Sequence, residues 1–545
     1  MPKRAPDDQA PEGPPQKRSR RSTEPDRLSP LSDELALHIL SFLPIRSLIT
    51  CQRLSRRFHI LAGDSELWKR KYYSRWILPR ARRVRQLSNI GVSGGHTAYS
   101  SRVVKWLDRG RSWQEGREID WMKEYRLQHN WSRGNCRIRE LEVAQPPIPP
   151  VLVNLHNGIV FTADVRNGLR AWSTKDTERL LAGVSFADEL HLAIPTAITV
   201  SSDNGKVNVV VGFQNGLLAI YTLDRDTKML IRRPAHFKSE DGEITALASC
   251  PDYLLLLRKN EMLSLYRVTA DFALRLVETL QASNIRAPLT LSMRTVGTQV
   301  IASIAYSFPR IGCGWSVGLQ ELRWDESGEN LGSHLATPLD TQHTSFPGKL
   351  KGATKRFENT FAAPQQVSFQ YASHMQPPTS LSYSHPYLLA AHADNTLTVY
   401  LVLSTAEGLT ISPPRRLWGH TSAVSGVQVG GRGKAVSVSS RGDDIRIWEL
   451  EELVSSPLMA KRLRLRDRGI QLSPERVKSE STSLISPHST QNVLLDVGTS
   501  LWLAQRDTLS ELTKINGLVG FDDEQVVVLR EQDLGTQLLD CYDFT

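Results

Sequence analysis

The sequence predicts a multidomain chain, α-helical towards its N-terminal end and all-β beyond it. Three observations carry this. Apolar residues between 28 and 68 recur at helical spacing, as in Leu35, Ile39, Leu40 and Leu43. From Cys136 onward that period gives way to short runs rich in Val, Ile, Leu and Thr, broken by Gly, Asn and Asp. One strand–turn–strand pattern ending in Trp or Tyr then recurs along the rest of the chain.

A length of 545 residues calls for several domains or one large repeat domain. Hydrophobic residues at 40% and charged residues at 23% match an ordinary globular chain. No apolar run approaches the roughly 20 residues of a membrane helix. The polar start carries no secretory signal, so no membrane association is expected. The five cysteines are scattered, without metal-ligand spacing, which points to free thiols in a reducing compartment. The net charge of +10 is uneven: residues 65–140 carry +11 and residues 141–545 carry −4. Such confinement of basic character argues against nucleic acid as a partner of the whole chain.

Residues 1–27 are rich in Pro, Ser and charge and are expected to be disordered. Their Lys17-Arg18-Ser19-Arg20-Arg21 run has the composition that nuclear import receptors read, and it is equally common in tails with no such role. The expected location is the nucleus, the cytoplasm or both.

Residues 28–68 form the most informative stretch. Asp33 can cap a helix whose apolar residues fall at 35, 39, 40 and 43, and Pro44 ends it for want of an N–H donor. A second apolar face follows at 48, 51, 54 and 58, and a third helix carries Leu67 and Trp68. Forty residues cannot bury so many large apolar groups alone, so a partner surface is expected. The plain alternative is a three-helix subdomain packed on its own chain. The order of residues is similar to an F-box: a Leu/Pro start, Asp33-Glu34, the leucine series to Pro44, a basic Ser55-Arg56-Arg57 step and a closing Leu67-Trp68. Ser32 stands where that family usually has Pro. The resemblance implies docking on a Skp-type adaptor and, through it, on a cullin. It places that contact on Leu31, Leu35, Ile39, Leu40, Leu43, Pro44, Leu48, Leu54 and Trp68.

Residues 69–135 read as a basic helical linker, with the clearest helix from Arg117 to His129 and a stop at Gly134. Its aromatic side is expected to pack on the following domain and its Lys/Arg side to face water. WMKEYRLQHNWSRG is similar to the helix between F-box and propeller in F-box/WD-repeat proteins.

Residues 136–545 carry the repeat. Its copies end at Trp172, Tyr221, Tyr266, Trp324, Tyr400, Trp448 and Tyr542, at spacings of 49, 45, 58, 76, 48 and 94 residues. Propeller blades of the WD type run ~40–45 residues. The stretches 335–378 and 452–490 account for the longest gaps and are expected to be disordered loop insertions. Seven blades are expected, with eight as the alternative if 493–502 hides another. Leu538–Thr545 would be the third strand of the last blade, and the alternating Arg137–Val143 its outer strand. Leu417–Leu450 resembles a WD repeat, with Gly419-His420 and Trp448-Glu449. That resemblance implies a structural hydrogen-bond chain of His420, Ser439, Asp443 (or Asp444) and Trp448.

No P-loop, dinucleotide-binding glycine pattern, H-E-x-x-H or G-x-S-x-G occurs, so neither catalysis nor a cofactor is expected. The resemblances together imply the substrate receptor of an SCF-type ubiquitin ligase. A scaffold that assembles a complex without ubiquitin transfer is the alternative. The target protein is not legible; Arg166, Arg170, Arg258 and Arg441 are candidates for contacting a phosphorylated one, as clustered arginines do in phosphodegron-binding propellers.

Overall fold

A computed structural model describes residues 30–79, 119–144, 151–174, 180–186, 194–203, 206–224, 227–233, 242–269, 272–281, 286–310, 314–325, 327–338, 376–430, 433–440, 444–450, 469–475, 519–531 and 537–545. The basic run at 17–21 and the possible blade at 493–502 lie outside them. Two compact units are present. Residues up to Ile77 join Asp120–Tyr125 in the first, and Arg126–Thr545 belong to the second.

The first unit contains α1 (Asp33–Phe42), α2 (Ile45–Cys51), α3 (Arg56–Ala62) and α4 (Ser65–Tyr72), followed by a π-helical turn, Tyr73–Ile77. The apolar series 48–58 is thus two helices, where its spacing predicts one. Ser55 divides them: its Oγ accepts the Phe58 N–H at 3.2 Å and starts α3. Asp64 caps α4 in the same way through the Leu67 N–H at 3.0 Å. Asp33 is not the cap of α1. Ser32 holds the N-cap position with no side-chain bond, and Asp33 pairs with Arg57 at 2.7 Å. Lys71 closes the other end of α1, its Nζ donating to the carbonyls of Ser41 and Leu43 at 2.7 and 2.8 Å. Ala36, Leu40, Leu48, Leu61, Ala62 and Leu67 form the core.

Among the described residues a fifth helix, Trp121–Arg133, starts four residues later and ends four residues later than expected. Asp120 caps it through the Lys123 N–H at 3.0 Å, and Gly134 ends it at φ +71°. A Cβ at Gly134 would also lie 2.5 Å from the carbonyl oxygen of Gln471. Its aromatic residues do not all pack on the β domain. Trp121 and Tyr125 join Trp68, Tyr72 and Trp76 in the first unit, while Trp131 belongs to the second. A rise of 1.5 Å per residue puts Trp131 about 15 Å from Trp121, too far for one cluster to take both.

The described residues of the second unit form seven sheets, antiparallel but for one added strand. In the first, Leu152–His156, Ile159–Asp164, Gly168–Ser173 and Leu180–Val184 follow one another as neighbours, and the later sheets repeat this meander. Each of the seven repeat aromatics lies on the third strand of its own sheet: Trp172, Tyr221, Tyr266, Trp324, Tyr400, Trp448 and Tyr542. The last sheet takes its fourth strand, β1 (Asn135–Ala144), from the start of the domain. It pairs antiparallel with Gln537–Asp543, with Leu141 opposite Leu539. A fifth strand, Ser473–Glu475, adds to the free side of β1 in parallel.

Closure is visible in the core. Buried apolar clusters join blades one and two, two and three, three and four, four and five, five and six, and six and seven. The cluster of Val143, Val160, Val527, Leu529, Leu539 and Cys541 joins seven back to one. Every blade therefore has two apolar neighbours, and the described residues close into a seven-bladed propeller. The stretch expected as an insertion at 452–490 holds two short strands, Ile470–Gln471 and Ser473–Glu475. The other expected insertion begins inside a strand, Asn330–Ala336; its residues 339–375 lie outside the described ones.

Candidate docking face and blade network

Helix α1 carries two apolar stripes. Ala36 and Leu40 face inward, buried to 4% and 3% exposure. Leu35, Ile39 and Phe42, spaced by four and three residues, form a second stripe about 100° round the helix. They remain 54%, 43% and 75% exposed. Single exposed leucines need no explanation, but a periodic stripe on one helix does. Ile49 on α2, Leu54 in the turn after it and Ile60 on α3 are exposed as well. Arg57 ties α3 to the entry of α1, bonding both Asp33 and the Leu31 carbonyl.

The nine residues assigned to the contact therefore divide. Leu35, Ile39, Leu54 and Pro44 are exposed, and Leu31 and Leu43 are half-buried. Leu40, Leu48 and Trp68 are interior and cannot offer a surface. Leu40 and Leu48 belong to the helical core, and Trp68 sends its indole N–H to the Ala62 carbonyl at 2.8 Å. They hold the face in shape from behind. Phe42, Ile49 and Ile60 belong to the exposed set and were not in the expected one. The i, i+4, i+7 relation of 35, 39 and 42 was the available signal for Phe42.

In the sixth blade, Val424–Val429, Lys434–Ser439 and Ile445–Glu449 are the first three strands. They bury a hydrogen-bond chain. The Trp448 indole N–H donates to Ser437 Oγ at 2.8 Å. Ser437 Oγ lies 2.6 Å from His420 Nε2, and His420 Nδ1 lies 3.1 Å from Asp444 Oδ2. The indole leaves the Ser437 hydroxyl proton to point at Nε2, so Nδ1 carries the imidazole proton towards the carboxylate. Burial pushes the His420 pKa down to about 4 against the pull of Asp444. The serine is Ser437, not Ser439. Ser437 pairs with Arg446, two residues from the Trp448 row; Ser439 is two more residues, about 6.6 Å, further along. Ser439 instead accepts the Asp444 N–H at 3.1 Å. Asp443 lies outside the described residues, and Asp444 fills the acidic place.

An aspartate, a histidine and a serine in series could pass for a nucleophilic triad. Ser437 is 0% exposed and its oxygen is held by Trp448, so no substrate reaches it. The chain satisfies buried polar groups and fixes the hairpin.

A relative of this network sits unforeseen in the first blade. Trp172 donates to Thr162 Oγ1 at 3.0 Å. Asp164 accepts the backbone N–H groups of Arg166 and Asn167 and pairs with Arg170 at 2.9 Å. Its acid lies before the hairpin turn instead of after it, which hides the likeness in a linear pattern. Of the arginines singled out for a target, Arg170 is committed to Asp164, Arg258 is buried and Arg166 is exposed. Arg441 lies outside the described residues.

Comparison with known proteins fits both units. An F-box-like family model matches residues 33–74, and the model described as "F-box protein pof12 beta-propeller" matches residues 136–545. The chain belongs to the pof12 β-propeller family. F-box protein pof12 of Schizosaccharomyces pombe is 23% identical over 442 residues, which are 78% of this chain and 86% of that protein. A second F-box protein, from Saccharomyces cerevisiae, is 24% identical over 156 residues, 27% of this chain and 23% of that protein. Among solved structures, the C-terminal WD40 domain of Sif2 is 12% identical with a TM-score of 0.32, over 58% of this chain and 73% of that one. The chain is thus an F-box protein with a seven-bladed propeller.

Proposed function

We propose that the chain is the substrate-recognition subunit of an SCF-type ubiquitin ligase. The exposed stripe Leu35, Ile39 and Phe42 within the F-box-like unit carries this reading. Its intended cover is a Skp-type adaptor, which brings a cullin. The propeller holds the target protein. The chain itself does no chemistry: it raises the effective concentration of target lysines beside a loaded conjugating enzyme, and partner subunits perform the transfer.

Co-purification tests this. The full chain is expected to bring down adaptor and cullin, and a Leu35→Asp/Ile39→Asp variant neither, with its propeller still folded. Adaptor retained at the original level by that variant would sink the docking assignment. Adaptor without cullin, and no protein stabilised when the chain is lost, would favour a scaffold without ubiquitin transfer.

A further inference from the structure

Where the fourth and fifth blades meet, one carboxylate is buried with two guanidiniums. Glu321 is 0% exposed. Its Oε1 accepts Arg294 Nη2 at 2.9 Å and the Tyr383 hydroxyl at 3.2 Å. Its Oε2 accepts Arg323 Nη2 at 3.3 Å and the Ser404 hydroxyl at 2.5 Å. Four bonds fill the capacity of a carboxylate. Both guanidiniums also donate to Ser404 Oγ at 2.9 Å.

The cluster still has more donors and more positive charge than its acceptors balance. The Nε–H groups of Arg294 and Arg323 are both buried and have no acceptor among the described residues. Arg323 is 5% exposed, so solvent screens its charge poorly. The Arg294 side chain, at 21%, gives the cluster an opening to water. Arg294 lies two residues before the end of Arg286–Val296, and Arg323 one before the end of Gly314–Trp324. Both therefore sit at the same rim of blade four. A water molecule could accept from the N–H groups but would leave the charge uncompensated. Paired guanidinium edges are the preferred grip for an oxyanion.

We propose that Arg294 and Arg323 bind a small tetrahedral oxyanion of the phosphate class at the seam of blades four and five. Only one of the two arginines reaches solvent, which suits a free ion better than a phosphoryl group carried on a peptide. The ion neutralises the second guanidinium and stiffens a seam whose first strand, Ser380–Ser384, follows a long connection.

Equilibrium dialysis of the full chain against labelled inorganic phosphate, at fixed ionic strength in chloride, tests the site. One phosphate per chain is expected, saturable, with a matching rise in the unfolding midpoint. Arg294→Gln is expected to bind at least about tenfold more weakly, the loss typical of one charge-assisted hydrogen bond. No saturable binding by the unaltered chain, or unchanged binding by Arg294→Gln, overturns the proposal. Should Arg294→Gln fail to fold, Arg294→Lys keeps the charge and loses the fork, and unchanged affinity there overturns it equally. A phosphoserine peptide that binds more tightly than phosphate would overturn the free-ion assignment. The readout does not involve the adaptor, so it stands or falls apart from the proposed function.

Discussion

The indole of Trp131 lies flat on the ring of Phe544, with centroids 4.0 Å apart and planes at 12°. Its N–H reaches the Asp523 carbonyl at 2.8 Å, and the Lys434 ammonium sits 4.5 Å from its centroid on a second side. Next to it, Asn130 donates to the Phe544 carbonyl at 2.8 Å. The end of the helix is thereby built into blades six and seven. Trp131→Ala should cost about 3–5 kcal/mol, as for other buried aromatic truncations. Denaturant unfolding of the full chain measures it, and a loss below about 1 kcal/mol would show that the stack contributes little.

Neighbouring leucines of α1 should respond in opposite ways. Leu35→Ala leaves the fold nearly unchanged and weakens adaptor binding; covering the exposed half of a leucine is worth about 0.8–1.5 kcal/mol, or roughly 4–13-fold in affinity. Leu40→Ala should destabilise the unit by about 2–5 kcal/mol, because Leu40 is 3% exposed. Titration calorimetry with adaptor, beside thermal unfolding, separates the two. Equal behaviour of both variants would contradict the two-stripe geometry.

Ser437→Ala strands two buried partners, the Trp448 N–H and His420 Nε2, at about 1–3 kcal/mol each. Ser439→Ala removes an acceptor from one backbone N–H, that of Asp444, and should cost less. If the order of destabilisation is reversed, the register of the chain in blade six is wrong.

The same network predicts a pH response. His420 has a folded pKa near 4, below the ordinary value of 6.5. Between these values the unfolded chain takes up a proton that the folded chain refuses. The stability is fully present above pH 6.5 and drains away as pH falls towards 4, by up to about 1.4 kcal/mol per unit. Unfolding of His420→Gln beside the unaltered chain at pH 7, 6 and 5 isolates this slope. Parallel curves would mean that His420 does not stay neutral on folding.

Ser32 departs from the usual F-box proline, yet its φ of −63° is the angle a proline ring imposes. Ser32→Pro should therefore be tolerated and gain about 0.4–1 kcal/mol through the unfolded state. A lowered melting temperature would show that the serine N–H is needed.

How far these features could be read from the sequence varied with the physics behind them. Strand alternation and recurring aromatics mark third strands strongly, because each buries one large ring between two sheets. Which leucines of α1 point outward was not legible: both stripes obey the same helical period, and only the packing of α2 to α4 chooses between them. Val436-Ser437-Val438-Ser439 offers two serines on the same face of one strand, so spacing alone could not select Ser437. The buried Glu321 cluster draws on four strands of two adjacent blades, a juxtaposition no local pattern contains.

Because β1 completes the last sheet, the opening strand of the propeller has no antiparallel partner until the final strand exists. On a ribosome, the middle blades can collapse while the two ends of the ring are still far apart in time. Throughout that interval the edge of β1 that pairs Gln537–Asp543 stays open to whatever is near. The helix that precedes it cannot seat Trp131 either, since Phe544 arrives later still. Completion of this domain thus waits for its last strand, and the fold withholds its anchored helix until that strand is in place.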